Sequence, residues 1–178
     1  LVLLLLLLGR TIYENNSMGK FTEKCFIALC KHELTIAFAE SVTVGALSYK
    51  FGLMPEIGKI FKGSLVCYDG QIKEKHLGVT REMIEKFTPE SAEVTLQMVK
   101  GLKDFFDADI SVAVTGLSDS GGSESESKPV GTVFFNILFK AKFHPFRKLY
   151  HGTPEEIIEQ AAEDIFLEVS RIVELEVS

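Results

Sequence analysis

The chain is short of three things, and each shortage excludes something. It has three cysteines in 178 residues, Cys25, Cys30 and Cys67. They form an odd set without metal-ligand spacing, because Cys25 and Cys30 stand five apart rather than the three of a CxxC pair. Buried free thiols in a reducing cytosol are the reading this supports, and it places the chain in the cytoplasm. Basic charge is also scarce, with 19 Lys and Arg against 25 Asp and Glu, a formal net charge of −6. That disfavours nucleic acid and anionic membrane as partners, since both need a basic surface. The third shortage is of long apolar runs. Leu1 to Leu8 is followed directly by Gly9-Arg10, whereas a bilayer span takes about 20 residues. The run also lacks the basic start and small-residue cleavage site of a secretory signal. Met18 precedes a clean helical pattern and reads as the natural start. Residues 1–17 are expected to be a leader foreign to the fold, or else a hydrophobic arm packed on a neighbouring chain.

What is present suits a folded domain. Hydrophobic residues make up 46% and charged residues 25%, enough for a sizeable core, and the length allows one domain, 18–178. Phe21 to His32 fits a helix with one apolar face. Leu34 to Ala39 is a short apolar run of strand length, and Thr43 to Phe51 reads as a helix directly after it. Ser64 to Tyr68 reads as a strand, Gln71 to Leu77 as helical turns stopped by Gly78, and Thr80 as the cap of a short helix. Ser91 to Phe106 carries Met98, Val99, Leu102, Phe105 and Phe106 on one helical face. Asp109 to Thr115 is a β-branched strand. Val130 to Phe139 and Phe146 to His151 are further strands, with Pro145 at the start of the last. Thr153-Pro154-Glu155-Glu156 is a capping box with proline at the first helical position. The alternation predicts an α/β domain of three layers, α/β/α, with a mixed, largely parallel sheet.

Ligands in such sheets bind beyond the carboxyl ends of the strands, which selects three loops. In Ala39-Glu40-Ser41-Val42-Thr43-Val44-Gly45 a strand feeds a helix, and the hydroxyls of Ser41 and Thr43 either serve an anion there or cap the helix. In Tyr68-Asp69-Gly70-Gln71-Ile72-Lys73 a tyrosine ends a strand and a lysine follows one turn later. Such a pair activates a nucleophile or holds a phosphate, although a lone lysine is more often a solvated surface residue. The third loop runs from Thr115-Gly116 through Gly121-Gly122 to Lys128. Its glycine pair lets backbone amides approach an anion, while Glu124 and Glu126 would repel phosphate. Its composition predicts a mobile loop.

The three loops and the segments between them resemble the CinA C-terminal domain family, the nicotinamide-nucleotide amidohydrolases or NMN deamidases. The family's A-E-S-C-T-G-G corresponds to Ala39–Gly45, and its P-G-S-S-x-x-F to Pro55-Glu56-Ile57-Gly58-Lys59-Ile60-Phe61. Y-S-N-x-x-K corresponds to Tyr68–Lys73, and the L-G-V after it to Leu77-Gly78-Val79. V-S-x-x-V matches at Ser91 and Val94. A-V-T-G-I-A-G-P-x-G-G corresponds to Ala113–Gly122, and K-P-V-G-T-V stands unchanged at Lys128–Val133. The resemblance spans about Phe21 to Val173.

The resemblance implies hydrolysis of the carboxamide of nicotinamide mononucleotide to nicotinic acid mononucleotide and ammonia, without metal or cofactor. It implies a serine nucleophile from P-G-S-S, helped by the tyrosine and lysine at Tyr68 and Lys73. Thr115 joins them, and Ser41, Thr43, Gly116, Gly121 and Gly122 serve substrate binding. The partner implied is a small nucleotide, and a homo-oligomer is compatible. Three departures stand against catalysis. The second serine of P-G-S-S is Gly58, the S-N pair is Asp69-Gly70, and the arginine of the closing G-D-R is Pro154. The expectation is a divergent member with deamidation lost or much reduced and a nucleotide-type pocket kept. The alternative is an active amidohydrolase that uses Asp69 and Lys73 as a substitute acid–base pair. A structural role with an empty site is the third reading.

Overall fold

The computed structural model describes residues 19–177, so the segment read as a leader, 1–17, lies outside the described residues. Five strands form one sheet in the order β2-β1-β3-β4-β5. They are β1 (Ile36–Glu40), β2 (Phe61–Val66), β3 (Ile110–Gly116), β4 (Thr132–Phe139) and β5 (Lys142–Leu149). β1 runs parallel to both β2 and β3, while β3–β4 and β4–β5 are antiparallel. The sheet is mixed, as the alternation implied. β1 and β4 are buried along their whole length, which is why IAFAE and TVFFNILF read as continuous apolar runs rather than alternating ones.

Among the described residues six α-helices flank the sheet: α1 (Lys20–Lys31), α2 (Ala46–Gly52), α3 (Gly70–Leu77), α4 (Arg81–Phe87), α5 (Ala92–Phe105) and α6 (Pro154–Val177). The pleat sends alternate strand residues to opposite faces. Phe38, Val112 and Phe135 meet α1, α2 and α6 in one cluster, while Ala37, Ala39 and Ala113 meet α3 and α5 in another. This is the three-layer α/β/α arrangement. On the first face Phe38, Phe51 and Phe166 pack with ring centroids 5.6–6.1 Å apart. On the second, small strand residues let α5 sit close. At Gly101 of α5 an added Cβ would stand 2.2 Å from the Leu77 carbonyl oxygen at the end of α3. Among the described residues no helix is long and apolar enough to cross a membrane.

The capping box forms as the sequence implies. The Thr153 hydroxyl accepts from the Glu156 amide at 3.3 Å, and the Glu156 carboxylate accepts from the Thr153 amide at 2.7 Å. Several boundaries differ from expectation; β2 also ends at Val66, two residues before Tyr68, and β4 begins at Thr132. β2 begins at Phe61, three residues before Ser64, because Phe61 pairs with Ile36. β5 begins at Lys142, and Pro145 sits inside it opposite Asn136, tolerated because β5 is an edge strand. α2 begins at Ala46 rather than Thr43, because Val44 and Gly45 take positive φ values of 44° and 99° before the helix starts.

Candidate functional site

The strand ends at Glu40, Val66 and Gly116 share one edge of the sheet. There a cavity of about 280 Å³ is walled by Ser41, Tyr68, Glu90, Gly116 and the loop from Leu117 to Gly122. Five of the residues singled out in the sequence therefore meet at one place: Ser41, Tyr68, Gly116, Gly121 and Gly122. Tyr68 is 68% exposed and lines the cavity. A larger groove of about 900 Å³ runs between α2 and the start of α6, past Tyr49, Leu53, His151 and Glu155, and none of the sequence-selected residues lines it.

The other three lie behind the wall. Lys73 is not the solvated lysine that base rates favour. It is 1% exposed, and its ammonium donates to the Tyr68 carbonyl oxygen at 3.0 Å. No carboxylate pairs with it among the described residues. Desolvation by burial pushes its pKa below the usual lysine range, opposed by the electrostatics of Cys67, Glu90 and Asp69. Thr115 is fully buried and shares a 2.8 Å hydrogen bond with the Thr95 hydroxyl on α5. Thr43 is fully buried as well, and its hydroxyl donates to Glu40 Oε2 at 2.8 Å.

Glu40 is the residue the sequence reading passed over. Its fully buried carboxylate ends β1 and accepts from the amides of Gly45, Leu47 and Ser48 at 2.9–3.1 Å. It also accepts from the hydroxyls of Thr43, Ser48 and Ser64. Neither Ser41 nor Thr43 caps α2; Glu40 takes the free amides of that turn. The readable signal was an acidic residue closing an otherwise apolar strand, with hydroxyls three and eight residues later.

The loop after β3 is anchored at its C-terminal end. Lys128 donates to the Thr88 hydroxyl at 2.6 Å, the Glu90 carbonyl at 3.0 Å and the Ser123 hydroxyl at 2.6 Å. Ser123 in turn donates to the Glu90 carboxylate. At its base, Gly131 holds φ +91°, and an added Cβ would stand 2.0 Å from the Tyr150 carbonyl oxygen. The unchanged K-P-V-G-T-V segment thus has a local reason: a tether at Lys128 and a close backbone approach at Gly131. Two of the loop's amides are taken by its own carboxylates. Ser120 donates to Asp119 Oδ1 at 2.7 Å and Gly121 to Glu124 Oε1 at 2.9 Å. The Gly121 amide holds the Glu124 carboxyl below its usual range.

The three departures do not surround one cavity. Asp69 caps α3, its carboxylate accepting from the Gln71 amide at 2.7 Å. Pro154 opens α6 next to the larger groove. Gly58 lies in a 3₁₀ turn, Ile57–Lys59, just before β2, where the Ile60 carbonyl accepts from Ile36. That is the opposite edge of the sheet, one full strand from Tyr68 and Lys73. Among the described residues no cluster of three His, Cys, Asp or Glu could hold a metal ion.

Residues 19–173 match the model of the CinA C-terminal domain. A CinA-like protein of Petrotoga mobilis is 37% identical over 148 residues, covering 83% of this chain and 36% of the relative. One from Fervidobacterium nodosum is 40% identical over 126 residues, covering 71% of this chain and 30% of the relative. The chain therefore spans about a third of the length of these relatives. Among solved structures, the competence or damage-inducible protein of Enterobacter asburiae superposes with a TM-score of 0.82 at 27% identity, over 89% of this chain and 99% of that one. The CinA superfamily protein of Enterobacter cloacae gives 0.81 at 27% identity, over 90% and 96%. With its sheet order, its motif loops gathered at one edge and these matches, the chain belongs to the CinA C-terminal domain family.

Proposed function

We propose that this chain is a small-molecule-binding member of the family. Its cavity at Tyr68 holds a pyridine-nucleotide-like ligand, and its carboxamide hydrolysis is lost or much reduced. One observation carries the reading: the buried ammonium of Lys73 contacts a backbone carbonyl and no hydroxyl. A serine becomes nucleophilic at neutral pH only when a base takes its proton, and no such pair stands at this cavity among the described residues. Thr115 is paired with another threonine. The buried thiol of Cys67 is pushed up to about 11 by desolvation, so it stays protonated and unreactive. Gly58 supplies no side chain and sits at the far edge.

The alternative, a working amidohydrolase, draws on the same lysine. Burial and a lowered pKa are how a lysine is tuned to act as a base. Its proposed helper weighs against it, because the Asp69 carboxylate is engaged in capping α3. The test is ammonia release from nicotinamide mononucleotide by the purified protein. The expected result is turnover orders of magnitude below that of an active deamidase, with no further fall in Lys73→Ala. Steady release that vanishes in Lys73→Ala would establish the alternative.

A further inference from the structure

The loop that walls the Tyr68 cavity is fastened unevenly. At its base the Leu117 amide donates to the Thr132 carbonyl at 3.0 Å, and the Gly131 amide donates to the Leu117 carbonyl at 2.7 Å. These bonds pin the two ends of the loop together. Between them, residues 118–122 line the cavity. Among the described residues their hydrogen bonds stay inside the loop, from Ser120 to Asp119 and from Gly121 to Glu124. Gly122 packs on the loop's own Leu117, where an added Cβ would stand 2.6 Å from Leu117 Cδ2. One knot joins this arm to the turn between α4 and α5. The Ser123 hydroxyl donates to the Glu90 carboxylate, and Lys128 Nζ reaches Ser123, the Thr88 hydroxyl and the Glu90 carbonyl. Glu90 itself lines the cavity.

The knot rests on a strained residue. Thr88 holds φ 69° and ψ 155°, a combination essentially confined to glycine. It precedes Pro89, and a residue in that place favours extended backbone with negative φ. Such a conformation persists only where its surroundings over-determine it. Within the turn, the Thr88 amide donates to the Ile84 carbonyl and Ser91 donates to the Thr88 carbonyl. The bond that reaches Thr88 from outside the turn comes from Lys128, at 2.6 Å. We propose that residues 118–122 are a gate on the Tyr68 cavity, and that Lys128, Ser123 and Glu90 form the latch that holds it shut against the strain at Thr88. When the latch releases, the arm swings on its paired base at Leu117 and Gly131 while the sheet stays in place. The gate rests on the reading of the cavity as a small-molecule site. Lys128 is then a positioning residue that sets how often the cavity opens.

Cleavage of the full chain by a glutamate-specific protease at Glu124 and Glu126, with and without nicotinamide mononucleotide, tests this. Such nicking follows the population of the open form when opening and closing are fast. In Lys128→Met it is expected to run at least about tenfold faster, the scale of losing hydrogen bonds to a charged group. The nicking rate is expected to vary little with low urea, as for a local opening, whereas cleavage through global unfolding climbs with the full surface exposed. Ser123→Ala removes a single hydroxyl and is expected to show the same shift to a smaller degree; it decides the matter should Lys128→Met fail to fold. Nicotinamide mononucleotide is expected to slow nicking of the unmodified protein. Unchanged nicking in the folded variants overturns the latch, and so does nicking that climbs with urea as global unfolding does. Mononucleotide that binds without slowing nicking overturns the gate while the pocket stands. Mononucleotide that does not bind overturns the pocket, and the gate with it.

Discussion

Two buried ionisable groups stand at the same edge of the sheet and are treated in opposite ways. Glu40, on the aromatic face, is met by three amides and three hydroxyls. Lys73, on the face of small residues, is met by one carbonyl oxygen. A carboxylate with every lone pair occupied is fixed and has nothing left to offer a ligand, and its contribution is to hold the β1–α2 turn in its left-handed course. An ammonium with donors to spare in a desolvated place is held at a free-energy cost, and it is the group a ligand or a reaction can still use. The same asymmetry continues beneath Lys73's layer, where the Ser111 hydroxyl, the Thr132 hydroxyl and the Asn136 amide oxygen are buried without partners among the described residues.

Substitutions can break or sharpen this contrast. Glu40→Gln should be the most damaging, because it turns a donor toward a cage of donors. A loss of about 3 kcal/mol is expected, the scale of leaving buried polar groups unpaired, read by urea denaturation. Lys73→Met should act the other way and raise stability at neutral pH by on the order of 1 kcal/mol, since it removes a desolvated charge. Its pH signature is distinctive. The folded pKa of Lys73 lies below its ordinary 10.5, so between those two values the unfolded chain binds more protons than the folded one. Stability of the unmodified protein therefore gains a rising component with pH through that window. Lys73→Met should lose that component, which denaturation at a series of pH values measures. Thr115→Val breaks the Thr95–Thr115 bond and should lower stability by about 1 kcal/mol. The smallest effect is expected from Gly58→Ser. No atom lies within 4 Å of an added Cβ there, so the variant should fold normally. Its hydroxyl sits at the wrong edge for Lys73, and ammonia release from nicotinamide mononucleotide should stay within about twofold of the unmodified protein.

Much of the architecture was legible because periodicity and caps are local. The Thr153–Glu156 box and the β-branched run of β3 appear where the sequence puts them, and so does the apolar stripe of α5 at Met98, Val99 and Leu102, whereas Phe105 is half exposed and Phe106 lies past the helix end. The edge of the sheet that carries the cavity was legible through the three strand-end loops. What was hidden depends on partners distant in sequence. Nothing local says that Lys73 folds under Tyr68 rather than into solvent, since its burial is created by the packing of α3 on α5. Glu40 looked like an ordinary motif residue until Ser64, on the neighbouring strand, came within 3.2 Å of it. The distance of Gly58 from the cavity follows from the parallel pairing of β1 with β2, which motif spacing along the chain does not encode.

The two outer strands limit how copies of this protein can meet. β2 is six residues long, exposes Lys62, and is twisted at Gly63, where φ is +135° and the register with β1 slips between Ile36 and Ala37. β5 carries Pro145 among Lys142, Arg147 and Lys148. A charged, bulged margin on one side and a proline-bearing, cationic margin on the other are poor templates for another strand. Neither margin of the five described strands is well suited to adding another. Aggregation by strand-to-strand growth is therefore disfavoured while the domain stays folded.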